Sequence, residues 1–266
     1  MITLTNPSTG YINSPFDRMQ TPPRTATRTA EIAYGLACWL AFGMVALGLL
    51  VATALLPGVG PRRVATQRSA RLFLALIASS PRVTGLDQLP ATPCVVVANH
   101  ASYLDGVILA AVLPPRFAFV IKREMTRVPF AHFFLRRIGS QFVERFDTRR
   151  GAADARRILA LAETRQSLVF FPEGTFRAEP GLRRFQGGAF AAAARGRVPV
   201  VPVIIRGSRA MLAADMLLPR RAPLEVLVKP PLHHDAAGDA VATLRSASRT
   251  SILADLPEPD LVGQES

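Results

Sequence analysis

CVVVANHASYLDGVILAAVL, residues 94–113, runs from β-branched residues through a short polar stretch into a second apolar segment. The opening CVVVA is too short for an ordinary helix and valine-rich, so it predicts a strand buried on both faces. YLDGVILAAVL (103–113) predicts the helix that follows. The same rhythm extends outward along the chain. FAFVIK (117–122), SQFVE (140–144), SLVFF (167–171), VPVVPVII (198–205) and LEVLV (224–228) read as further strands. PFAHFFLRRI (129–138), GAADARRILALAE (151–163), GAFAAAARG (188–196) and a stretch over 241–251 read as helices. Alternation of this kind predicts an α/β domain with a mixed, mostly parallel sheet flanked by helices. Pro199 and Pro202 predict an edge or bulged position for the VPVVPVII strand.

Upstream, residues 1–29 are rich in Thr, Ser, Pro and Arg without apolar period and read as a flexible tail. Ile32 to Leu56 carries no charge and is long enough to cross a bilayer, for which about 20 apolar residues suffice. It begins too far into the chain for a cleaved signal peptide, so retention is expected. RLFLALIASS (71–80) is too short to span and predicts an interfacial or re-entrant piece beside the first, giving one membrane helix or a two-helix hairpin. Arg62, Arg63, Arg68 and Arg71 follow the apolar run and Arg18, Arg24 and Arg28 precede it, a slight bias toward a cytoplasmic catalytic domain on the inner membrane. The expected organisation is a tail at 1–29, a membrane-anchoring segment at 30–82, an α/β domain at 83–235 and a C-terminal helix with polar tail at 236–266.

The formal charge of +13 is nearly all arginine, since Lys122 and Lys229 are the only lysines. An anionic partner is therefore expected. No zinc-type cysteine spacing, RNA-binding aromatic signature or dense basic run supports a nucleic-acid partner, which leaves anionic lipid. Cys38 and Cys94 both lie in apolar surroundings and read as core residues rather than a disulfide framework.

Polar residues gather at strand ends, where ligands and catalytic groups of such sheets collect. In NHASYLD, Asn99 and His100 close a strand and Asp105 enters the next helix. On one continuous helix, positions five apart differ by about 140°, so a turn must bring the imidazole back over the carboxylate. If it does, Asp105 can hold the imidazole tautomer while His100 takes a proton from an attacking hydroxyl. The competing reading makes Ser102 an N-cap and Asp105 a first-turn acid favourable to the helix dipole. In FFPEGTFR (170–177), Gly174 permits close backbone approach, and Glu173 and Arg177 can bind polar substrate groups; an ordinary polar turn is the alternative. Arg145, after the SQFVE strand, could face the same edge or be solvated.

NHASYLD, the Arg145 segment, FPEGTFR and VPVVPV occur in the order and approximate spacing of the glycerolipid, or 1-acylglycerol-3-phosphate (lysophospholipid), acyltransferases, which the chain resembles from about residue 94 to 207. The segment with Lys122, Glu124, Pro129, Gly139 and Arg145 is similar too. The resemblance implies acyl transfer from acyl-CoA or acyl carrier protein to a lysophospholipid hydroxyl, giving phosphatidic acid from 1-acyl-sn-glycerol-3-phosphate, with no metal or other cofactor. It implies His100 as base, Asp105 as its partner, and Asn99, Lys122, Arg145, Glu173, Gly174, Thr175 and Arg177 as substrate-binding residues. Two departures bear on the acceptor. Phe176 stands where family members making phosphatidic acid often carry a basic residue, and Phe185-Gln186-Gly187-Gly188 replaces a Phe-Lys-x-Gly segment. A lyso-aminolipid acceptor is therefore an open alternative.

Two readings of other classes compete. One is a metal-dependent membrane hydrolase with His100, Asp105 and Glu173 as ligands, although a His-Glu-x-x-His pair is absent. The other is a non-enzymatic lipid-binding protein indifferent to His100 and Asp105. A serine hydrolase lacks its Gly-x-Ser-x-Gly.

Overall fold

The computed structural model describes residues 28–143, 160, 166–234 and 239–262. Arg145 and nearly all of the helix expected over 151–163 lie outside the described residues. Among the described residues seven strands form one sheet: β1 (Arg82–Thr84), β2 (Val95–Ala98), β3 (Ala118–Lys122), β4 (Gln141–Val143), β5 (Leu168–Phe170), β6 (Val200–Arg206) and β7 (Glu225–Val228). Their order is β1-β7-β6-β2-β5-β3-β4. Every pairing is parallel except β6 with β7. The mixed, mostly parallel sheet flanked by helices is thus the observed architecture.

Alternate residues of β2 serve two cores. Val96 and Ala98 pack with Ile108 and Leu109 of α3 (Asp105–Val112), whereas Val95 and Val97 pack with Phe190 of α5 (Gly188–Gly196) and Leu244 of α6 (Ala240–Leu253). Burial on both faces explains why these strands are continuously apolar.

β6 corrects the sequence expectation in one respect. It lies between β7 and β2 and is not an edge. Its missing Pro202 N–H falls on the β7 side, where the Pro202 carbonyl accepts the Lys229 N–H. The β6–β7 ladder ends at Val203↔Val228, and pairing resumes at Val200↔Leu232, which puts one extra residue in the partner segment. The discontinuity therefore sits where proline cannot donate. The sequence also hid β1, whose three residues are exposed and carry no apolar pattern.

α1 (Arg28–Leu55) and α2 (Val59–Leu76) form a hairpin packed on α3. α1 is about 42 Å long at 1.5 Å per residue, enough by length and composition to cross a membrane. Leu36, Leu40, Met44, Leu47, Val51 and Leu55 form an exposed apolar stripe, while Gly35, Cys38 and Ala41 face the protein. The helix is tied to the domain in its first half and in its last turn: Trp39 Nε1 donates to the Leu217 carbonyl (2.8 Å), and Arg137 Nε donates to the Thr53 carbonyl (3.0 Å).

α2 starts well before the RLFLALIASS segment because its first half is polar for a reason. Arg63, Gln67 and Arg71, spaced four apart and so on one face, donate to the carbonyls of Ile138, Leu113 and Ala111 at 2.7–2.8 Å. These carbonyls lie at the ends of α3 and α4 (Pro129–Arg137), where helices leave acceptors unpaired and favour cations.

Candidate active site

The carboxyl ends of β6, β2 and β5 are neighbours, and the polar residues that follow them meet there. After β2 the chain makes a turn before α3. In that turn Asp105 Oδ2 accepts the backbone N–H groups of Ala101 (2.7 Å) and Ser102 (2.8 Å). The curl carries His100 back over the carboxylate, placing Nδ1 2.8 Å from the same oxygen. Asp105 is fully buried, so its charge rests on these three donors. An Nδ1–H donated to Asp105 leaves Nε2 as the proton acceptor. Ser102 is also buried: its Oγ donates to the Leu212 carbonyl and accepts the Leu104 N–H, so it braces the turn, whereas the N-cap position expected for it is taken by Leu104, without a side-chain cap; Asp105 does stand in the first turn of the helix.

The imidazole is fixed on its faces as well. Phe171 stacks on it with centroids 4.2 Å apart, and Phe176 leans on it at 4.5 Å while meeting Tyr103 edge-on at 4.7 Å. Phe171 and Tyr103 had no role from sequence, because an aromatic at a strand end or in a turn looks like ordinary core or surface.

Other expected residues divide between two settings. Asn99 is buried and absent from the cavity lining. Its Nδ2 donates to the Ile205 carbonyl (2.9 Å) and its Oδ1 accepts the Ile205 N–H (2.8 Å). It bolts the end of β2 to β6, and its amide is fully engaged. Glu173 is likewise turned inward, its Oε1 accepting the His100 N–H (2.7 Å) and its Oε2 the Arg183 N–H (2.9 Å). Here it braces the turn that carries His100 instead of lining the cavity, and with both oxygens on backbone N–H groups the three-ligand metal reading loses its third arm. Arg177 is exposed and not among the cavity-lining residues. Lys122, Gly174 and Thr175 do line the cavity with His100. Gly174 has φ 84°, a conformation open to glycine.

Burial pushes the Glu173 carboxyl up from its ordinary 4.5 to about 7; the Arg183 and His100 N–H groups pull the other way, and the charges of Glu258 and Asp105 add to the rise. A raised acid favours the folded state fully below its unfolded value and loses that contribution as pH climbs through the folded one. We therefore expect the unfolding free energy of the wild type, minus that of Glu173→Gln, to fall by about 3 kcal/mol between pH 4.5 and 8. Denaturant titrations across that range check it, and a flat difference contradicts the burial account. Burial also raises the Cys94 thiol to about 11, consistent with an inert core residue.

The cavity beside His100 has a volume of about 480 Å³. Its walls are almost wholly apolar: Val107 and Ala110 of α3, Phe119 of β3, Phe134 of α4, Phe73 of α2, and Phe42, Val45 and Leu49 of α1. It thus runs from the imidazole toward the hairpin.

The class of this fold is met in the crystal structure of the 1-acyl-sn-glycerophosphate (LPA) acyltransferase of Thermotoga maritima. The two superpose with TM-score 0.72 at 16% identity over 86% of this chain and 97% of that one. At sequence level, residues 80–206 match the family described as Acyltransferase. Its relatives include the 1-acyl-sn-glycerol-3-phosphate acyltransferase of Saccharomyces cerevisiae, 28% identical over 62% of this chain and 56% of that protein. The lyso-ornithine lipid O-acyltransferase of Pseudomonas aeruginosa is 36% identical over 61% of this chain and 64% of that one. The chain thus spans less than two thirds of the length of these relatives.

Proposed function

We propose that the protein transfers a fatty acyl group from a thioester donor, acyl-CoA or acyl carrier protein, to the hydroxyl of a lysophospholipid, with 1-acyl-sn-glycerol-3-phosphate as the leading acceptor and phosphatidic acid as product. The observation that carries this reading is the His100–Asp105 contact at the mouth of an apolar cavity. His100 Nε2 takes the proton as the acceptor oxygen bonds to the thioester carbonyl carbon. Asp105 stabilises the imidazolium that forms. Collapse breaks the carbon–sulfur bond, and the thiolate leaves with the proton, so ester and thiol are the two products. No group beyond the acyl donor enters these steps.

The cavity suits the acyl chain. At about 30 Å³ per water-sized group, it holds about 16 such groups, comparable to one fatty chain. Ala110 is part of its wall; Ala110→Phe is expected to shift donor preference to shorter chains, read from competition between donors of different length. An unchanged preference would move the chain elsewhere.

The membrane face in this reading is the outer stripe of α1. Because α1 is held by the catalytic domain in its first half and in its last turn, the helix lies along the domain in the interface with its stripe in lipid. In this reading the cavity opens toward the leaflet holding the lysolipid, and the slight arginine bias after α1 favours the cytoplasmic side of the inner membrane.

A lyso-aminolipid is the second acceptor reading, favoured by Phe176 packed on His100 and Tyr103 and by the likeness to the lyso-ornithine lipid enzyme. Labelled donor offered with a panel of lysolipids in vesicles, products resolved by mass, tests both. Phosphatidic acid supports the first acceptor, and an acylated aminolipid alone supports the second. A chelator arm tests the metal-free chemistry. Release of free fatty acid alone favours a hydrolase, and binding without product favours a lipid-binding protein.

A further inference from the structure

Residues 254–262 lie outside the acyltransferase match and read from sequence as a polar tail. In the fold they turn back over the loop that leaves β5. Leu182 and Asp260 form a parallel bridge; the Leu182 N–H donates to the Pro259 carbonyl (2.8 Å), and the Leu182 carbonyl accepts the Leu261 N–H (3.1 Å). Glu258 Oε2 accepts the Gly181 N–H at 2.8 Å. The same carboxylate takes a bidentate pair from Arg209, Nε to Oε1 at 2.8 Å and Nη2 to Oε2 at 2.9 Å. Arg209 Nη1 completes the clasp by donating to the carbonyls of Arg177 (2.6 Å) and Ala178 (3.1 Å). The two side chains are only 15% and 17% exposed. Gly181 has φ 139°, and a Cβ there would stand 2.4 Å from Leu261 Cγ, so loop and tail meet at a distance only glycine allows.

The clasped loop also builds the mouth of the active site. Gly174, Thr175 and Phe176 line the cavity beside His100, and Glu173 ties the loop's inner side to the catalytic turn through the Arg183 N–H. The clasped stretch, Arg177 to Leu182, has no regular helix or strand to hold it. Segments with few backbone bonds of their own open locally at low free energy. A poorly exposed bidentate Arg–carboxylate pair that also bonds three backbone groups restrains such opening.

We infer that Arg209 and Glu258 are a positioning pair for the acceptor: they hold the loop from Gly174 to Arg183 in the form that receives the lysolipid headgroup, which makes the C-terminal tail part of the acceptor site. The inference rests on the acyltransferase reading. Of this loop only Gly174, Thr175 and Phe176 line the cavity, beside His100; the walls offered to the acyl chain come from the hairpin, α3, α4 and β3, so the donor's chain is held without the clasp.

The test compares the full-length wild type with Glu258→Gln and Arg209→Lys, which keep size but lose the charged fork. For each variant, KM and kcat are measured separately for donor and acceptor, and hydrogen exchange is followed at the Gly181 and Leu182 amides. The expected result is a fall in kcat/KM for the acceptor of about 10- to 100-fold, carried by KM, with donor KM unchanged and both amides losing protection. Lost protection with unchanged acceptor KM overturns the inference, as does an equal loss for donor and acceptor, the mark of a merely structural role. If the wild type acylates no lysolipid, the functional reading has failed on its own account. Exchange still decides the clasp, since retained protection in both variants overturns it.

Discussion

Replacing His100 by alanine is expected to lower acyl transfer by about 10²- to 10⁴-fold, the range general-base catalysis supplies. The substitution removes the one ring nitrogen left unengaged by Asp105 at the cavity mouth, while the fold should persist. His100 is a strand-end residue whose backbone N–H, held by Glu173, does not depend on its side chain. The ring also packs between Phe171 and Phe176, so a modest loss of stability accompanies the loss of rate. Initial rates with saturating donor and acceptor, on protein shown by circular dichroism to be folded, check the prediction. A folded His100→Ala protein with wild-type rates would remove the proposed chemistry altogether.

The second large effect belongs to Asp105→Asn, which should strike rate and stability together. Asp105 Oδ2 accepts from His100 Nδ1 and from two backbone N–H groups in a fully buried setting. An asparagine can keep its amide oxygen on these three donors, but it buries an NH2 group where Oδ1 finds no hydrogen-bond partner among the described residues, and it no longer favours the imidazolium. Transfer is expected to drop by about 10²- to 10⁴-fold, and the unfolding free energy by about 3 kcal/mol from unsatisfied buried donors. His100→Ala should lose rate with far less stability. That contrast, read from paired thermal melts and rate measurements, separates the proton acceptor from the residue that shapes its turn. Equal stability losses would mean that the turn does not depend on the Asp105 carboxylate.

The strands and helices of the sheet domain were legible because each is short, apolar and bounded by turn residues; CVVVA and GAFAAAARG fall almost where β2 and α5 lie. β1 was not, since an exposed parallel edge of three residues needs no apolar pattern. The first half of α2 carried no apolar signal because Arg63, Gln67 and Arg71 serve carbonyls of other helices, a purpose visible only in three dimensions. At the site, the sequence located His100 and Asp105 but could not close the turn between them. It also cast Asn99 and Glu173 as substrate ligands, where the fold uses both as struts from side chain to backbone. A buried carboxylate bonded to distant N–H groups reads in sequence like one awaiting a ligand. Arg209 and Glu258 carried no signal, being far apart in sequence and joined only by the return of the tail.

The central claim, direct transfer from a thioester to a lipid hydroxyl with His100 as base, is tested most directly by one quenched reaction. Wild-type protein in lysolipid vesicles is mixed with a donor labelled in its acyl group, stopped during turnover, and both the lipid and the intact protein are weighed by mass spectrometry. The account predicts label in an acylated lipid and none on the protein, since Ser102 Oγ is bonded to the Leu212 carbonyl and both cysteines are buried. A stoichiometric acyl adduct on the protein, or no labelled lipid with any acceptor, would contradict it.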